Sequence, residues 1–271
     1  MSASEGADTP PAAWQPFTFG GVAAFAMART GRVFAFELAT AMMTAVCAMW
    51  FLHRAYCPVI LQAIQTMPDT ARVAQGALQG VTNTVIAESK FLGIAARPQP
   101  GEQIGQGADL QIELRRNEFC VNSIFWPDWG FEGSYQSRYL INLGRASLEP
   151  WWSAWQPVLL VGAGAAVVVS LLLTWQALAL LYMAPAKFIA WFADRSLTWG
   201  GAWRLASAAL MPGAAVMTGA IVLYGWSAID LVGLSFFFAL HFMVGWAYLL
   251  GASCKATRID LSDSNRNPFT A

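Results

Sequence analysis

The chain has 271 residues, of which 56% are hydrophobic and only 12% charged, and its formal net charge is zero. Soluble globular domains average about 25% charged residues, so half the usual charge is missing. That balance excludes a global basic field for nucleic acid, and the apolar excess points to a bilayer as the solvent.

Met1–Pro16 is rich in Ser, Ala and Pro and carries Glu5 and Asp8 in place of a basic stretch, so it does not read as a secretory signal. Phe17–Arg32 is short and apolar and ends on Arg29 and Arg32, which suits an interfacial helix. An extension of the following span reads almost as well. Residues 1–32 are therefore expected to form a cytoplasmic tail and lead-in.

Val33–Leu52 is the first of four stretches long enough for a hydrocarbon core of about 30 Å, which takes roughly 20 apolar helical residues. It runs on into His53-Arg54 without a cleavage signature and reads as an anchor. Within it Glu37, Thr40 and Thr44 share one helical face. A carboxylate is costly in lipid, so this face is expected to point into a bundle, in a structural or interfacial role ahead of a proton relay.

Residues 53–156 are polar by comparison. His53–Met67 is amphipathic and interrupted by Pro58, and Met67-Pro68-Asp69 signals a turn. Ala71–Ala74 and Ala77–Val81 flank Gln75-Gly76; Thr84–Glu88 and Phe91–Ala96 are short β-type runs. Leu110, Ile112 and Leu114 alternate with Gln111, Glu113 and Arg115, the period of a half-buried strand. Phe119–Phe125 and Trp129–Ile141 supply further strands. Such spacing predicts a small antiparallel sheet.

Residues 157–252 hold the other three spans, Pro157–Met183, Ser207–Trp226 and Leu231–Ala252, as a three-helix bundle, and 253–271 form a tail. Gly162 with Ala166, and Ala215 with Gly219, are small pairs four residues apart, read as bundle packing. Pro212 is expected to kink the third span. His241 lies mid-span, where a buried histidine bonded to a neighbouring helix is preferred to a proton-handling role. Several Trp, Trp50, Trp191 and Trp226 among them, fall near span ends as in an interfacial belt. Basic residues crowd the loop between the second and third spans (Lys187, Arg195, Arg204), whereas the next turn has Asp230 alone. By the positive-inside rule both termini face the cytoplasm and residues 53–156 lie outside, in the inner membrane of a bacterium.

Chemistry-bearing residues are sparse. Cys57 and Cys120 both fall in the outward segment, and a disulfide and two buried thiols are equally good readings. His53 and His241 have no ligand partners at metal spacing, so no metal site is expected. Neither a phosphate loop nor a nucleophile elbow is present, so no catalytic residue and no cofactor is expected. Trp126, Trp129 and Tyr135, with Asp128, Glu132 and Arg138, form an aromatic–charged cluster that suits a partner or ligand surface, although simple packing is the preferred reading.

The layout resembles a family of bacterial membrane proteins of unknown function, some described as maltodextrin-utilisation membrane proteins and distantly similar to Yip-type membrane proteins. The resemblance rests on Met67-Pro68-Asp69 with Val73 through Gly76-Ala77-Leu78, on Leu181-Tyr182-Met183-Ala184 followed by Lys187, on the lead Trp199–Ala206, and on Pro212. It implies one N-terminal span, an extracytoplasmic domain and three further spans, with no catalytic residue.

The expected fold is an α-helical polytopic membrane protein with four transmembrane helices and a small, mainly β extracytoplasmic domain inserted between helices 1 and 2. The expected function is that of a non-enzymatic accessory or scaffold subunit of a larger membrane assembly, with the lipid bilayer and other membrane subunits as partners and no nucleic acid. The alternatives are a small transporter or lipid- or solute-handling protein with Glu37, Thr40, Gln176 and His241 as its polar residues, and a sensor using the extracytoplasmic domain.

Overall fold

The structure, a computed structural model, describes residues 15–98, 107–124 and 126–257, with the backbone alone for 126–129. In it α1 is Phe19–Phe25, α2 Thr30–Ala55 and α3 Cys57–Thr66. Strands follow at Arg72–Ala74 (β1), Ala77–Gln79 (β2), Thr84–Glu88 (β3), Leu92–Arg97 (β4), Leu110–Arg115 (β5), Glu118–Ser123 (β6), Trp126–Ser134 (β7) and Ile141–Asn142 (β8). Three long helices close the chain: α4 Arg145–Phe192, α5 Trp199–Gly225 and α6 Leu231–Ser253. Four helical stretches among the described residues are long and apolar enough to cross a membrane: Thr30–Thr66, α4, α5 and α6.

The second of these is much longer than expected. Pro157 and Met183 are read from sequence as its ends, yet α4 has 48 residues, about 72 Å at 1.5 Å per residue. Pro157 and Pro185 lie inside it. Each removes a single backbone donor, whereas a break in an apolar setting would strand a whole turn of polar groups. For the same reason α5 runs through Pro212 without interruption. At α3, by contrast, Pro58 occupies the first turn, where its missing N–H costs nothing.

The chain divides into two compact units. The first comprises Met1–Ala45, Ala166–Ala220 and Gly233–Ala271. Its core is built on small residues: Ala202, Leu205, Ala206 and Ala209 of α5 meet Val22 and Phe25 of α1, Val33 of α2, and Leu249 and Ala252 of α6. The lead-in helix packs into this core by Val22 and Phe25 and leaves Phe19 exposed. It is only seven residues long, and Phe25 is fully buried because the alanine face of α5 leaves room for a ring. Arg204 closes the turn after α1, donating from Nε and Nη2 to the Ala26 carbonyl at 3.1 and 2.8 Å.

The second unit comprises Val46–Ala165 and Ile221–Val232. Strands β1 and β2 form a hairpin across Gln75 (φ 51°) and Gly76 (φ 75°), the paired positive φ values of a tight two-residue turn. With β8 they make a three-stranded sheet in the order β2-β1-β8. The larger sheet has five strands in sequence order, β3-β4-β5-β6-β7. It is mixed rather than antiparallel, because β4 and β5 pair in parallel, Leu92 opposite Leu110 through Arg97 opposite Arg115. A parallel pair requires the chain to return to the starting edge, and the intervening Pro/Gly-rich connection is long enough to do so. One face of this sheet carries Ile94, Ala96, Ile112 and Leu114 and packs on Val59, Ala63 and Met67 of α3. The alternation of Leu110, Ile112 and Leu114 is therefore the core pattern it reads as.

Candidate functional site

Glu37 is the most unusual side chain of the helical unit, being fully buried. Helical spacing puts it two turns ahead of Thr44 on the inward face of α2. Gln176 of α4 donates its amide to Glu37 Oε2 at 2.7 Å. Ser207 of α5 is a further polar neighbour of the carboxyl, yet among the described residues neither Oε1 nor Ser207 Oγ reaches hydrogen-bond geometry with a partner. Phe25, Val33, Phe36, Ala208 and Met211 close around the carboxyl and leave no room for a water. Glu37 faces inward, as expected. Ser207 carries no pattern that singles it out in the sequence.

Thr44 belongs to a different environment. Its hydroxyl lies 2.8 Å from that of Thr218 on α5, and both bond back to a carbonyl one turn earlier, at Thr40 and Ala214. Beside Thr44 an apolar cavity of about 320 Å³ is lined by Trp175 and Tyr182 of α4, Met217 of α5, and Phe238, His241 and Phe242 of α6. The sequence leads to the expectation that His241 bonds to a neighbouring helix; among the described residues its bond is instead within α6. Its Nδ1 is paired with the carbonyl of Phe238, one turn back on its own helix, and its ring lies against Phe242. Lateral access to an acceptor on α6 itself removes the need for a cross-helix partner. Glu37 and His241 thus stand in separate surroundings, one dry and closed, the other a cavity with a polar rim. The cavity's size and lining suit an apolar ligand such as an acyl chain.

In the second unit, the sheet face opposite α3 carries charge. Glu113 is buried and accepts from Arg97 at 2.8 Å and from Arg115 at 3.3 Å. Arg115 also reaches Glu118 at 3.1 Å and Glu132 at 3.3 Å. Cys120 sits between these rows, opposite Glu113 on β5 and Glu132 on β7. Burial pushes its thiol above the ordinary cysteine range, and the Arg115 charge only partly offsets this. The network is a structural one, since every carboxylate in it except Glu132 is largely committed to an arginine on the same sheet.

Cys57 and Cys120 are both free and both buried. Cys57 packs with Ile64 and Trp152, whereas Cys120 Sγ contacts Asn122 at 3.1 Å, so the disulfide alternative is replaced by two separate buried thiols. Of the aromatic cluster, the side chains of Trp126 and Trp129 lie outside the described residues. Tyr135 packs 6.3 Å from Phe119, its hydroxyl buried with no partner among the described residues. Burial, and then the Glu118 charge, push its phenol up to about 12. Among the described residues no group of three or more His, Cys, Asp or Glu stands where it could hold a metal ion.

Comparison with protein-family models, with curated proteins and with solved structures gives no match. The resemblance to the maltodextrin-utilisation type therefore rests on the sequence motifs alone.

Proposed function

We propose that this chain is a non-enzymatic, multi-pass inner-membrane protein that serves as an accessory or scaffold subunit of a larger membrane assembly. In this reading both termini are cytoplasmic and the β-rich unit faces outward, as the basic loop Lys187–Arg204 and the acidic turn at Asp230 favour. The observation that carries it is the uneven covering of the span-length helices. The most apolar window of α5 is 56% buried, but those of α4 and α6 are only 11% and 6% buried. On the exposed faces of α4 and α5, Gly162 and Gly219 are open notches, with nothing among the described residues within 4 Å of where a Cβ would stand. Small residues with no neighbour among the described residues are suited to a helix from another subunit, because close approach is what drives helix association in lipid.

Affinity capture of the full chain from native membranes, followed by mass spectrometry, tests this. A stoichiometric membrane partner is the expected result; a lone monomer in mild detergent sinks the proposal. A second reading, lipid or solute handling, is favoured by the cavity beside Thr44 and His241. It predicts that Thr44→Leu with His241→Leu abolishes uptake of a fluorescent fatty acid by the purified chain, and unaltered uptake would eliminate it.

A further inference from the structure

The second unit contains an open groove of about 580 Å³ where the apolar part of α2 and the last turn of α5 both end. Trp50, Arg54, Ser89, Lys90 and Gly225 line it, with His53 on its rim. Arg54 and Lys90 are exposed, and each is held in place by contacts that leave most of its donors unused. Arg54 donates from Nε alone, to the Gly225 carbonyl at 3.2 Å, and its guanidinium lies 6.0 Å from the Trp50 ring centre. Lys90 Nζ donates to the Ile229 carbonyl at 3.0 Å and stands 5.6 Å from the ring centres of both Phe91 and Tyr224.

Among the described residues neither cation takes part in an ion pair. The ion pairs of the described residues involve Arg97, Arg115 and Arg145, not Arg54 or Lys90. Asp109, whose backbone N–H donates to the Lys90 carbonyl, has its carboxylate engaged by the Tyr224 hydroxyl at 2.5 Å. Gly225 is required for this arrangement, because a Cβ there would stand 2.7 Å from the Trp50 indole. Trp226 closes the same end, its ring 5.9 Å from that of Trp50. Two fixed cations with free donors, flanked by indoles at the point where apolar helices stop, form the combination that recognises phosphate at the headgroup level.

We propose that this groove binds a phosphate-bearing anion through Arg54 and Lys90, with Trp50 as the apolar wall. An anionic phospholipid headgroup and free phosphate share that chemistry. The lipid source rests on the membrane reading above; the free-phosphate source does not.

The full chain in neutral detergent micelles is titrated with phosphatidylglycerol and with phosphatidylcholine, read by native mass spectrometry, and with inorganic phosphate, read by calorimetry. For a lipid ligand, phosphatidylglycerol is retained over phosphatidylcholine, and Arg54→Gln and Lys90→Gln each weaken it about fivefold, whereas Arg116→Gln on the exposed β5–β6 turn does not. For a soluble ligand, inorganic phosphate alone shows the same dependence on Arg54 and Lys90. Circular dichroism checks folding, and because the Lys90 side chain is exposed, its variant keeps the test open if Arg54→Gln misfolds. Binding of both probes that is indifferent to Lys90→Gln overturns the proposal. Neither result depends on whether a protein partner is captured.

Discussion

Gln176 and Glu37 are joined by one hydrogen bond of 2.7 Å, the amide of α4 donating to the carboxylate of α2, in surroundings otherwise apolar. Removing the donor strands the acid. Gln176→Leu should therefore destabilise the full chain by about 1–3 kcal/mol, the cost of leaving a buried polar group unmade. Glu37→Gln should be nearly neutral, because the amide oxygen still accepts from Gln176 and its nitrogen can donate to the waiting Ser207 hydroxyl. Thermal unfolding in micelles checks both. If Glu37→Gln costs as much as Glu37→Ala, the charge itself is needed and the structural role assigned here fails.

Glu113 makes the opposite prediction for charge. It is buried and bonded to two arginines at once, so Glu113→Ala should cost about 3 kcal/mol by leaving Arg97 without its counter-ion. The half-exposed pair Arg145–Glu149 at the start of α4, although at 2.7 Å, should contribute little when Glu149 is replaced by Ala. Denaturant titration of the two variants separates the cases.

Tyr135 should make the second unit sensitive to alkali. Its folded phenol ionises near 12, whereas an unfolded tyrosine does so near about 10. Between those values the folded state holds the proton that the unfolded state has lost. Stability therefore falls as pH rises through this window, by up to about 1.4 kcal/mol per unit. Tyr135→Phe removes that slope. It should leave stability at pH 7 unchanged or slightly higher, because the lost hydroxyl has no partner among the described residues. Unfolding free energies from pH 9 to 12 provide the comparison, and an equally steep decline in the variant would show that Tyr135 is not the cause.

Much of the architecture was legible because its signals are local. The turn at Gln75-Gly76, the strand alternation at Leu110–Arg115 and the inward face of Glu37 and Thr44 all follow from neighbours a few residues apart. Three features were not legible, for distinct reasons. The helix of the second span runs past the apolar stretch Pro157–Met183 at both ends because its prolines do not terminate it. The parallel pairing of β4 and β5 depends on where a long connection leads, and no periodicity records that. The groove of Arg54 and Lys90 joins positions 36 residues apart to Gly225, and each cation taken alone resembles an ordinary surface charge.

Thiol reactivity should separate the cysteines. Cys254 is exposed, and Cys57 and Cys120 are buried. A maleimide should modify Cys254 in the folded chain and reach Cys57 and Cys120 only after unfolding, with half-buried Cys47 between these extremes. In the folded chain burial holds the Cys120 thiol above the usual range, and since only the thiolate reacts this adds to its protection. Peptide mapping after timed labelling reads this order. Recovery of a Cys57–Cys120 cross-linked peptide from non-reduced protein would contradict the structure.

Gly213 and Gly219 are six residues apart on α5 and make contrasting predictions. At Gly213 a Cβ would stand 2.5 Å from the carbonyl oxygen of His241, so α5 and α6 touch through their backbones there. Valine at 213 must push the helices apart and should cost about 1–3 kcal/mol or more. At Gly219, and at Gly162 on α4, the same substitution meets nothing, and unfolding of the isolated chain should change by less than about 0.5 kcal/mol. The proposed subunit role adds a second readout. If those open notches receive helices of a partner, Gly162→Val and Gly219→Val should fold normally yet lose the partner on affinity capture. Variants that fold normally and still capture it would show that those faces meet lipid alone, and the scaffold reading would lose the observation on which it stands.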